Sequence, residues 1–394
     1  MEKFWDFRIK KGIELLPLFL NESFRGVAIS LLSLFSSIFV YKILLSVTGQ
    51  QKIALIAVVL YFLGTDVAKF SANIFAEKLS LRFGLKKQIY IGQTFLVLCL
   101  AFLFFSQQKP LLLIFAAILF GFSAGFYWFG RHSLMAKMGE QRDFGKELGI
   151  DGVIGTIISL SVPFLGGLLI SLAGYRAMFL GALFFVLIAF VVLLRMPEEK
   201  IHHGTSLKEI LALFFRHPRM FLAYFGNSAA GSIYAVIFPL YLFLILNKEV
   251  SLGEFFSLAM ILSALINLFV GRWTDLKGKK ELLGFGSISS ALVWLGRFLT
   301  RTPPFLLILD VIDRLTGGLT GIPLNVLSYE KAVDGHSTGR AILFRETAIS
   351  LGAILADLVL LEIVILGLNI GLSFFEAAIL SLSPLLILKN EKIE

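Results

Sequence analysis

Long apolar segments recur through the whole chain, and they constrain its fold more than any other feature of the sequence. About 20 consecutive apolar residues span the hydrocarbon core of a bilayer as one helix. Twelve runs of roughly this length or longer lie at 15–41, 53–79, 88–106, 110–132, 148–172, 175–195, 219–246, 252–272, 281–300, 304–328, 341–366 and 368–389. We therefore predict an all-α polytopic membrane protein with twelve transmembrane helices.

The composition excludes several other classes of protein. Hydrophobic residues make up 57% of the chain, charged residues only 16%, and the mean hydropathy is +0.85. Soluble domains carry roughly 25% charged residues, and disordered chains are poor in apolar residues. The single cysteine, Cys99, excludes an intrachain disulfide and a cysteine-cluster metal site. We expect no metal and no cofactor, and no G-x-x-x-x-G-K-[ST] motif points to direct use of ATP.

Basic residues are distributed unevenly between the two sides of the predicted membrane protein. If the N-terminus is cytoplasmic, 26 of the 36 Lys and Arg residues lie in the termini and the even-numbered loops. Six lie in the odd-numbered loops: Lys52, Lys109, Arg176, Lys248, Arg297 and Arg301. The other four lie within spans: Arg25, Lys42, Lys69 and Arg314. Cytoplasmic loops are enriched in Lys and Arg, so we predict a multi-pass protein of the plasma (inner) membrane with both termini cytoplasmic. This bias explains the net charge of +9 without a nucleic-acid partner.

The longest polar stretch divides the chain into two halves. We expect an N-terminal six-helix bundle, a cytoplasmic linker and a C-terminal six-helix bundle, at residues 1–195, 196–218 and 219–394. Short features recur between the halves at an offset of 194 residues, since Gly84 matches Gly278 and Pro110 matches Pro304. Parallel repeats about an axis along the membrane normal are one known plan for polytopic proteins. The two bundles are therefore expected to be related by pseudo-two-fold symmetry.

Two basic glycine turns resemble a loop of the major facilitator superfamily. Residues 271–280 read G-R-W-T-D-L-K-G-K-K, close to the family's G-x-x-x-D-R-x-G-R-R. The copy around Gly84 keeps the basic residues, but Glu77 and Leu81 stand where Gly and Asp are usual. Residues 163–179 of span five resemble the family's P-x-x-G-G…G-x-R-x-x-F ending. The resemblance implies a major facilitator fold with a cytoplasmic gate at Arg82, Gly84, Lys86, Lys87, Gly271, Asp275, Gly278, Lys279 and Lys280.

Charged residues inside the predicted spans are costly in hydrocarbon and therefore point to function. At about 100° per residue, Glu22 and Arg25 share one stripe of span one, and Asp66 and Lys69 share one stripe of span two. The opposite face of span one is apolar and is expected to face lipid. Arg25 could pair with Asp66, or Glu22 with Lys69. Such pairs are either structural or part of a pathway for substrate and protons.

Span ten carries a concentrated group of charges. Asp310, Asp313 and Arg314 lie on one face at spacings of three and four residues, so they can interact. Two carboxylates with one cation leave a spare negative charge, which would bind a proton or a cationic substrate. The alternative is a balanced ion-pair network that joins span ten to a neighbouring helix. The predicted substrate and proton pathway comprises Glu22, Arg25, Asp66, Lys69, Asp310, Asp313, Arg314 and Asp357.

The segment Gly121–Gly125 matches the G-x-S-x-G motif of serine hydrolases, with Ser123 at its centre. That chemistry requires a turn between a strand and a helix, whereas this segment lies within an apolar span. We interpret Gly121 and Gly125, and Gly317 and Gly321 of span ten, as sites of close helix packing. An enzyme is not expected.

The resemblance implies a secondary active transporter that works by alternating access. We expect a proton gradient to drive it and its substrates to be small amphipathic or drug-like compounds that are exported. Its partners would then be a small-molecule substrate, the coupling ion H⁺ and the lipid bilayer, and it is expected to act as a monomer. A lipid or lysolipid translocator of the same fold is the first alternative. A non-transporting membrane receptor or scaffold is the second.

Overall fold

The computed structural model describes residues 9–139, 144–201, 204–205, 207–274, 279–334 and 338–388. Within these ranges, the backbone alone is described for 9–13, 144–146, 207, 265–274, 279–280 and 331–334. All the regular secondary structure in the described ranges is helical. This confirms the predicted fold class at the level of an all-α protein.

The helices of the N-terminal half follow one another with short connections. They are α1 (Ile9–Thr48), α2 (Gln51–Phe83), α3 (Leu85–Ser106), α4 (Leu112–Met138), α5 (Phe144–Ser159) and α6 (Val162–Leu193). A short helix, α7 (Leu207–Arg216), lies in the predicted linker. The C-terminal half contains α8 (Pro218–Leu246), α9 (Glu249–Thr274), α10 (Lys279–Leu299), α11 (Pro303–Asp334), α12 (Thr338–Ile365), α13 (Leu372–Leu380) and a 3₁₀ helix (Ser383–Leu388).

The fifth and sixth predicted spans are joined without a long loop. The apolar stretch Glu147–Leu193 has 47 residues, which at about 1.5 Å per residue is much longer than a bilayer is thick. Gly174 within α6 has φ 78, a conformation that glycine adopts readily because it has no Cβ. The stretch is therefore long enough for two crossings, and its break falls between the predicted spans 148–172 and 175–195.

Eight segments of the described chain are long and apolar enough to cross a membrane. They lie in α1, α2, α3, α4, α5–α6, α8, α10 and α12. Large apolar side chains such as Leu60, Phe105, Phe184, Leu292 and Phe305 are exposed on the outer surface. A soluble monomer rarely exposes so much apolar surface, so these side chains are placed to meet lipid. The count of twelve crossings, the domain boundaries and the pseudo-two-fold relation stay predictions.

α1 is buried on both of its faces. Val27, Leu31 and Ile38 lie on the face that the sequence assigns to lipid, yet all three are buried. α1 packs along α6, where Gly166 leaves room for Leu31 and Phe35. The predicted lipid-facing stripe was wrong, because the apolar face of α1 packs against α6 and not against lipid.

The two halves of the chain meet through two principal helix pairs, α2 with α12 and α6 with α9. In the second pair the backbones approach closely. A Cβ atom at Gly167 would lie 2.5 Å from the carbonyl oxygen of Glu249, and a Cβ atom at Gly253 would overlap the carbonyl oxygen of Pro163. Each helix therefore needs glycine where it meets the other.

Close packing through small residues is confirmed for α4 and wrong for α11. A Cβ atom at Gly121 would overlap the carbonyl oxygen of Thr65, and one at Gly125 would lie 2.6 Å from Cβ of Ala72. α4 thus packs tightly against α2. Gly317 and the nearby Gly321 have no neighbouring atom within 4 Å of such a position. Those two glycines border open space instead.

Candidate functional site

A cavity of about 200 Å³ lies between the two halves of the chain. One wall belongs to α1 and α6, and the other belongs to α8, α9 and α11. The lining residues are Ser30, Ser33, Leu34 and Pro163 in the first half and Tyr234, Ala235, Pro239, Phe256, Met260 and Arg314 in the second. A molecule in the cavity would therefore contact both halves at once.

Arg314 belongs to a network of charged and polar side chains beside the cavity. Its Nε lies 2.8 Å from Oδ2 of Asp310, and its Nη2 donates a hydrogen bond of 3.0 Å to the Tyr234 hydroxyl. Tyr234 in turn donates to Oδ1 of Asp310 at 3.0 Å. Arg297 of α10 lies 2.9 Å from both Asp310 and Asp313. The predicted cluster on α11 is thus held by a second arginine from the neighbouring helix.

The placement of Arg297 in an outer loop was wrong. α10 continues to Leu299, and the Arg297 side chain is fully buried. Its guanidinium carbon lies 4.3 Å from the ring centre of Phe238 and 4.5 Å from that of Trp294. With Arg297 included, two carboxylates face two guanidinium groups. The spare negative charge expected in span ten is absent, and the alternative of a balanced network holds.

A second buried charge network lies around α4. Arg131 forms ion pairs with Glu22 of α1 and Asp151 of α5, and its Nη1 donates to the Tyr329 hydroxyl at 3.0 Å. The Tyr329 oxygen also lies 2.6 Å from Nδ1 of His132. Since Tyr329 belongs to α11, this network crosses between the halves. Within the described part of the chain, no three His, Cys, Asp or Glu residues are grouped so that they could hold a metal ion.

Neither ion pair predicted between spans one and two is formed. Glu22 pairs with α4, as described above, and Lys69 lies 3.8 Å from Glu346 of α12. The guanidinium carbon of Arg25 lies 3.7 Å from the ring centre of Tyr127. Helical spacing gives the face on which a charge lies. It does not say which neighbouring helix covers that face, so these partners could not be found from the sequence.

Glu346 is a buried contact point between the halves, although it is not among the residues of the predicted pathway. Its Oε1 lies 2.6 Å from Nη1 of Arg345 and 3.7 Å from Nε2 of His132. Asn73 of α2 donates a hydrogen bond of 3.3 Å to the Glu346 carbonyl oxygen. Lys69 contacts its other carboxylate oxygen. These contacts hold α2 and α4 against α12 on one side of the cavity.

Asp66 and Asp357 form a carboxyl pair where α2 meets α12. Their side chains lie close enough to interact, with Ser232 and Glu376 near Asp357 and Lys69 near Asp66. Asp357 is 2% exposed, and no donor group in the described ranges reaches its Oδ2 atom. Ionised carboxylates only accept hydrogen bonds, so two of them can bond each other only when one is protonated. The pair therefore suits a single shared proton.

The basic turn of the first half closes against its own bundle. Gly84 has φ 95, and a Cβ atom there would overlap the carboxylate of Glu198. Lys86 Nζ donates to the carbonyl oxygens of Leu194 at 3.0 Å and Met196 at 2.6 Å. A cation at the C-terminal end of α6 is favoured by the helix dipole. Lys86 therefore stabilises the C-terminal end of α6 within its own half of the chain.

The rest of the predicted cytoplasmic gate is only partly described. Arg82 and Lys87 are exposed. Gly271, Lys279 and Lys280 lie in α9 and α10, where the backbone alone is described, and Asp275 and Gly278 lie outside the described residues.

The contacts of Glu77 explain why glutamate stands at a position where the family pattern has glycine. The side chain is buried, and its carboxylate accepts a hydrogen bond of 3.0 Å from the backbone N–H of Thr205 in the linker. A Cβ atom at Gly339, at the start of α12, would lie 2.9 Å from the same carboxylate. Glu77 thus brings together α2, the linker and α12.

Contacts between the halves also exist on the other side of the cavity. Glu249 at the start of α9 forms an ion pair with Lys42 of α1 and accepts a hydrogen bond of 3.0 Å from the Tyr175 hydroxyl. Lys42 is nine residues beyond Ser33, or about 14 Å along α1 at 1.5 Å per residue. The cavity therefore lies between two sets of contacts that join the halves.

The sequence matches the Major Facilitator Superfamily over residues 18–357. The chain belongs to the Major Facilitator Superfamily. This confirms the resemblance drawn from the basic turns and the central linker. It also establishes a multi-pass membrane protein of a transporter family, and it points away from an enzyme.

Solved structures agree with this assignment. The fold of this major facilitator protein is similar to that of the human organic anion transporter MFSD10 (TETRAN), with a TM-score of 0.73, 14% identity, and coverage of 95% of this chain and 99% of that one. It is also similar to the POT family transporter PepTSo, with a TM-score of 0.71, 11% identity, and coverage of 95% and 96%. No curated protein matches the sequence. At these identities the similarity shows the fold alone.

Proposed function

We propose that this major facilitator protein is a secondary active transporter that works by alternating access and exports small amphipathic compounds. The cavity carries the proposal, because both halves line it and contacts between the halves lie on either side of it. If one set of contacts separates while the other stays closed, the cavity opens to one side of the membrane at a time. The predicted pathway residues lie on α1, α2, α11 and α12, which line the cavity or join the halves.

Proton coupling is the second part of the proposal, and the pair of Asp66 and Asp357 supports it. While α2 and α12 are in contact, repulsion between two carboxylates favours retention of one shared proton. When the helices separate, that repulsion ends and the proton can leave. Proton binding would thus be linked to closure of the halves. Asp310 and Asp313 support coupling less strongly, because two arginines already balance them.

Flux measurements in liposomes under an imposed pH gradient test both parts. We expect gradient-driven movement of labelled amphipathic compounds by the native protein. Asp66→Asn and Asp357→Asn should each lower the rate of gradient-driven flux at least about tenfold. Both variants should still exchange substrate in the absence of a gradient. Glu362→Gln, an exposed residue of the same helix as Asp357, is the control and should behave like the native protein.

Three results would contradict the proposal in different ways. Loss of gradient-driven flux in Asp313→Asn but in neither Asp66→Asn nor Asp357→Asn would move the coupling site to α11. Movement of a labelled lysolipid between leaflets, with no movement of water-soluble probes, would favour the lipid translocator. No movement of any compound would favour a receptor or scaffold.

A further inference from the structure

We propose that the central cavity selects anionic amphipathic compounds and that Arg314 recognises their negative group. The inference rests on the proposed function, since it names the class of substrate that the transporter would carry. Its basis is the charge that the cavity wall presents, which differs from the charge expected from the sequence.

Among the described residues that line the cavity, Arg314 is the one that carries a charge. Its side chain is 25% exposed, whereas that of Asp310, to which it is paired, is 0% exposed. Asp313 faces Arg297 and does not line the cavity. Asp310 therefore lies behind Arg314, whereas Asp313, whose side chain is 18% exposed, lies outside the lining of the cavity. A molecule in the cavity meets a guanidinium first, and the low-dielectric walls strengthen that interaction.

The guanidinium of Arg314 has donors to spare for a ligand. Its contact with Asp310 uses Nε, and its hydrogen bond to Tyr234 uses one N–H of Nη2. A guanidinium carries more N–H donors than these two contacts use, in a planar fork that fits carboxylate, sulfonate or phosphate oxygens. Ser30 and Ser33 on the opposite wall add hydroxyl groups to the same space.

The remaining lining is suited to an apolar body. Leu34 and Pro163 on one wall, and Pro239, Phe256 and Met260 on the other, present apolar surface next to the polar groups. Binding sites of this kind combine an apolar lining with a few polar groups that fix the orientation of the ligand. The cavity therefore matches a compound with one negative end and an apolar remainder. A cationic compound would face Arg314 without a carboxylate to bind it.

Two probes that share one ring test this inference. Binding of 2-naphthalenesulfonate and of trimethyl-2-naphthylammonium to the purified protein is measured by equilibrium dialysis. We expect the sulfonate to bind at least about tenfold more tightly than the ammonium compound. Arg314→Gln should abolish the difference. Arg301→Gln, at an exposed position outside the cavity, is the matched arginine control and should preserve it.

A second pair of variants leaves the arginine network intact. Ser33→Asp places a carboxylate on the wall opposite Arg314, and Ser33→Asn places a neutral side chain of the same shape there. Ser33→Asp should weaken binding of the sulfonate by at least about tenfold and strengthen binding of the ammonium compound. Ser33→Asn should do neither.

Equal or tighter binding of the ammonium compound by the native protein would overturn the inference, as would no binding of the sulfonate. Identical behaviour of Ser33→Asp and Ser33→Asn would overturn it as well. Failure of the proposed function gives a different result. In that case the sulfonate still binds with the expected preference, but liposomes containing the protein do not move it.

Discussion

Arg297 shows how a buried charge in a membrane protein depends on its neighbours. The side chain is fully buried, and two carboxylates and three aromatic rings surround its guanidinium. Removing one partner from a buried ion pair costs more than an exposed pair contributes, because the remaining charge stays desolvated. The stability of α10 and α11 should therefore depend on this one residue.

We predict that Arg297→Met lowers the free energy of unfolding by about 3–5 kcal/mol, measured by thermal unfolding in detergent. Arg301→Met, two residues beyond the end of the same helix and exposed, should change it by less than about 0.5 kcal/mol. Adding Asp313→Asn to Arg297→Met should recover part of the loss, because it removes a carboxylate that has lost its partner. Equal melting temperatures for the two single variants would contradict the role assigned to the buried network.

At this scale, the sequence predicts which side chains carry the chemistry but not their partners. The spacing of Asp310 and Arg314 predicts that they can interact, and they lie 2.8 Å apart. Arg297 and Arg131 come from other helices, so no spacing within one helix indicates them. The signal available in the sequence was the cost of leaving such charges unpaired in an apolar chain.

Among the helices, apolar periodicity was informative where one face meets lipid. Ile308 and Ile312 of α11 lie opposite the charged face of that helix, and both are exposed. In α1 the same reasoning failed, because that helix packs against other helices on both sides. Periodicity distinguishes a polar face from an apolar one. It cannot distinguish an apolar face in lipid from one buried in protein.

The glycines of α4 and α11 give a second test at this scale. Gly121→Ala should lower the free energy of unfolding by about 1–3 kcal/mol, because its Cβ would overlap the backbone of α2. Gly317→Ala, also within a helix but beside open space, should be neutral or stabilising by up to about 1 kcal/mol. Thermal unfolding of the two variants in the same detergent measures the contrast. A larger loss in Gly317→Ala would show that the close packing has been assigned to the wrong helix.

For the whole molecule, the sequence predicts the environment and the family well. Twelve apolar runs and the basic turns are repeated features, so a local error does not change the conclusion. The contacts that join the halves, unlike these repeated features, each occur once and cannot be predicted from a local pattern. The hydrogen bond of Asn73 to α12 and the ion pair of Lys42 with Glu249 link residues far apart in sequence. Nothing in the local pattern indicates which of them meet.

If the halves move as proposed, a covalent link on either side of the cavity should stop transport. We predict that a short bifunctional thiol reagent abolishes flux in Lys42→Cys/Glu249→Cys and in Asn73→Cys/Ser350→Cys, and that cleavage of the link restores it. The first pair forms an ion pair, and the side chains of the second lie 3.2 Å apart. Flux into liposomes before and after cleavage is the measurement.

The control for this experiment is a link that does not join the halves. Lys137 of α4 lies 3.0 Å from Glu199, a linker residue whose carbonyl oxygen accepts a hydrogen bond from Leu85 of the N-terminal half, so this link stays within one half. The pair Lys137→Cys/Glu199→Cys, treated with the same reagent, should keep its flux. Undiminished flux through either linked pair across the halves would show that the contact in question does not open during the cycle.

The reciprocal contact of Gly167 and Gly253 has a mechanical consequence. Most packed helices interdigitate their side chains, ridges into grooves, so one helix cannot rotate against the other without losing side-chain contacts. At Gly167 and Gly253 the backbones of α6 and α9 are in direct contact, and no side chains interdigitate between them. Rotation of one helix against the other at this point therefore disturbs little side-chain packing. If the halves move as proposed, this contact can serve as the pivot between them. A substitution in the cavity would then change which compounds are carried, whereas a side chain larger than hydrogen at Gly167 or Gly253 would hinder the movement for every compound.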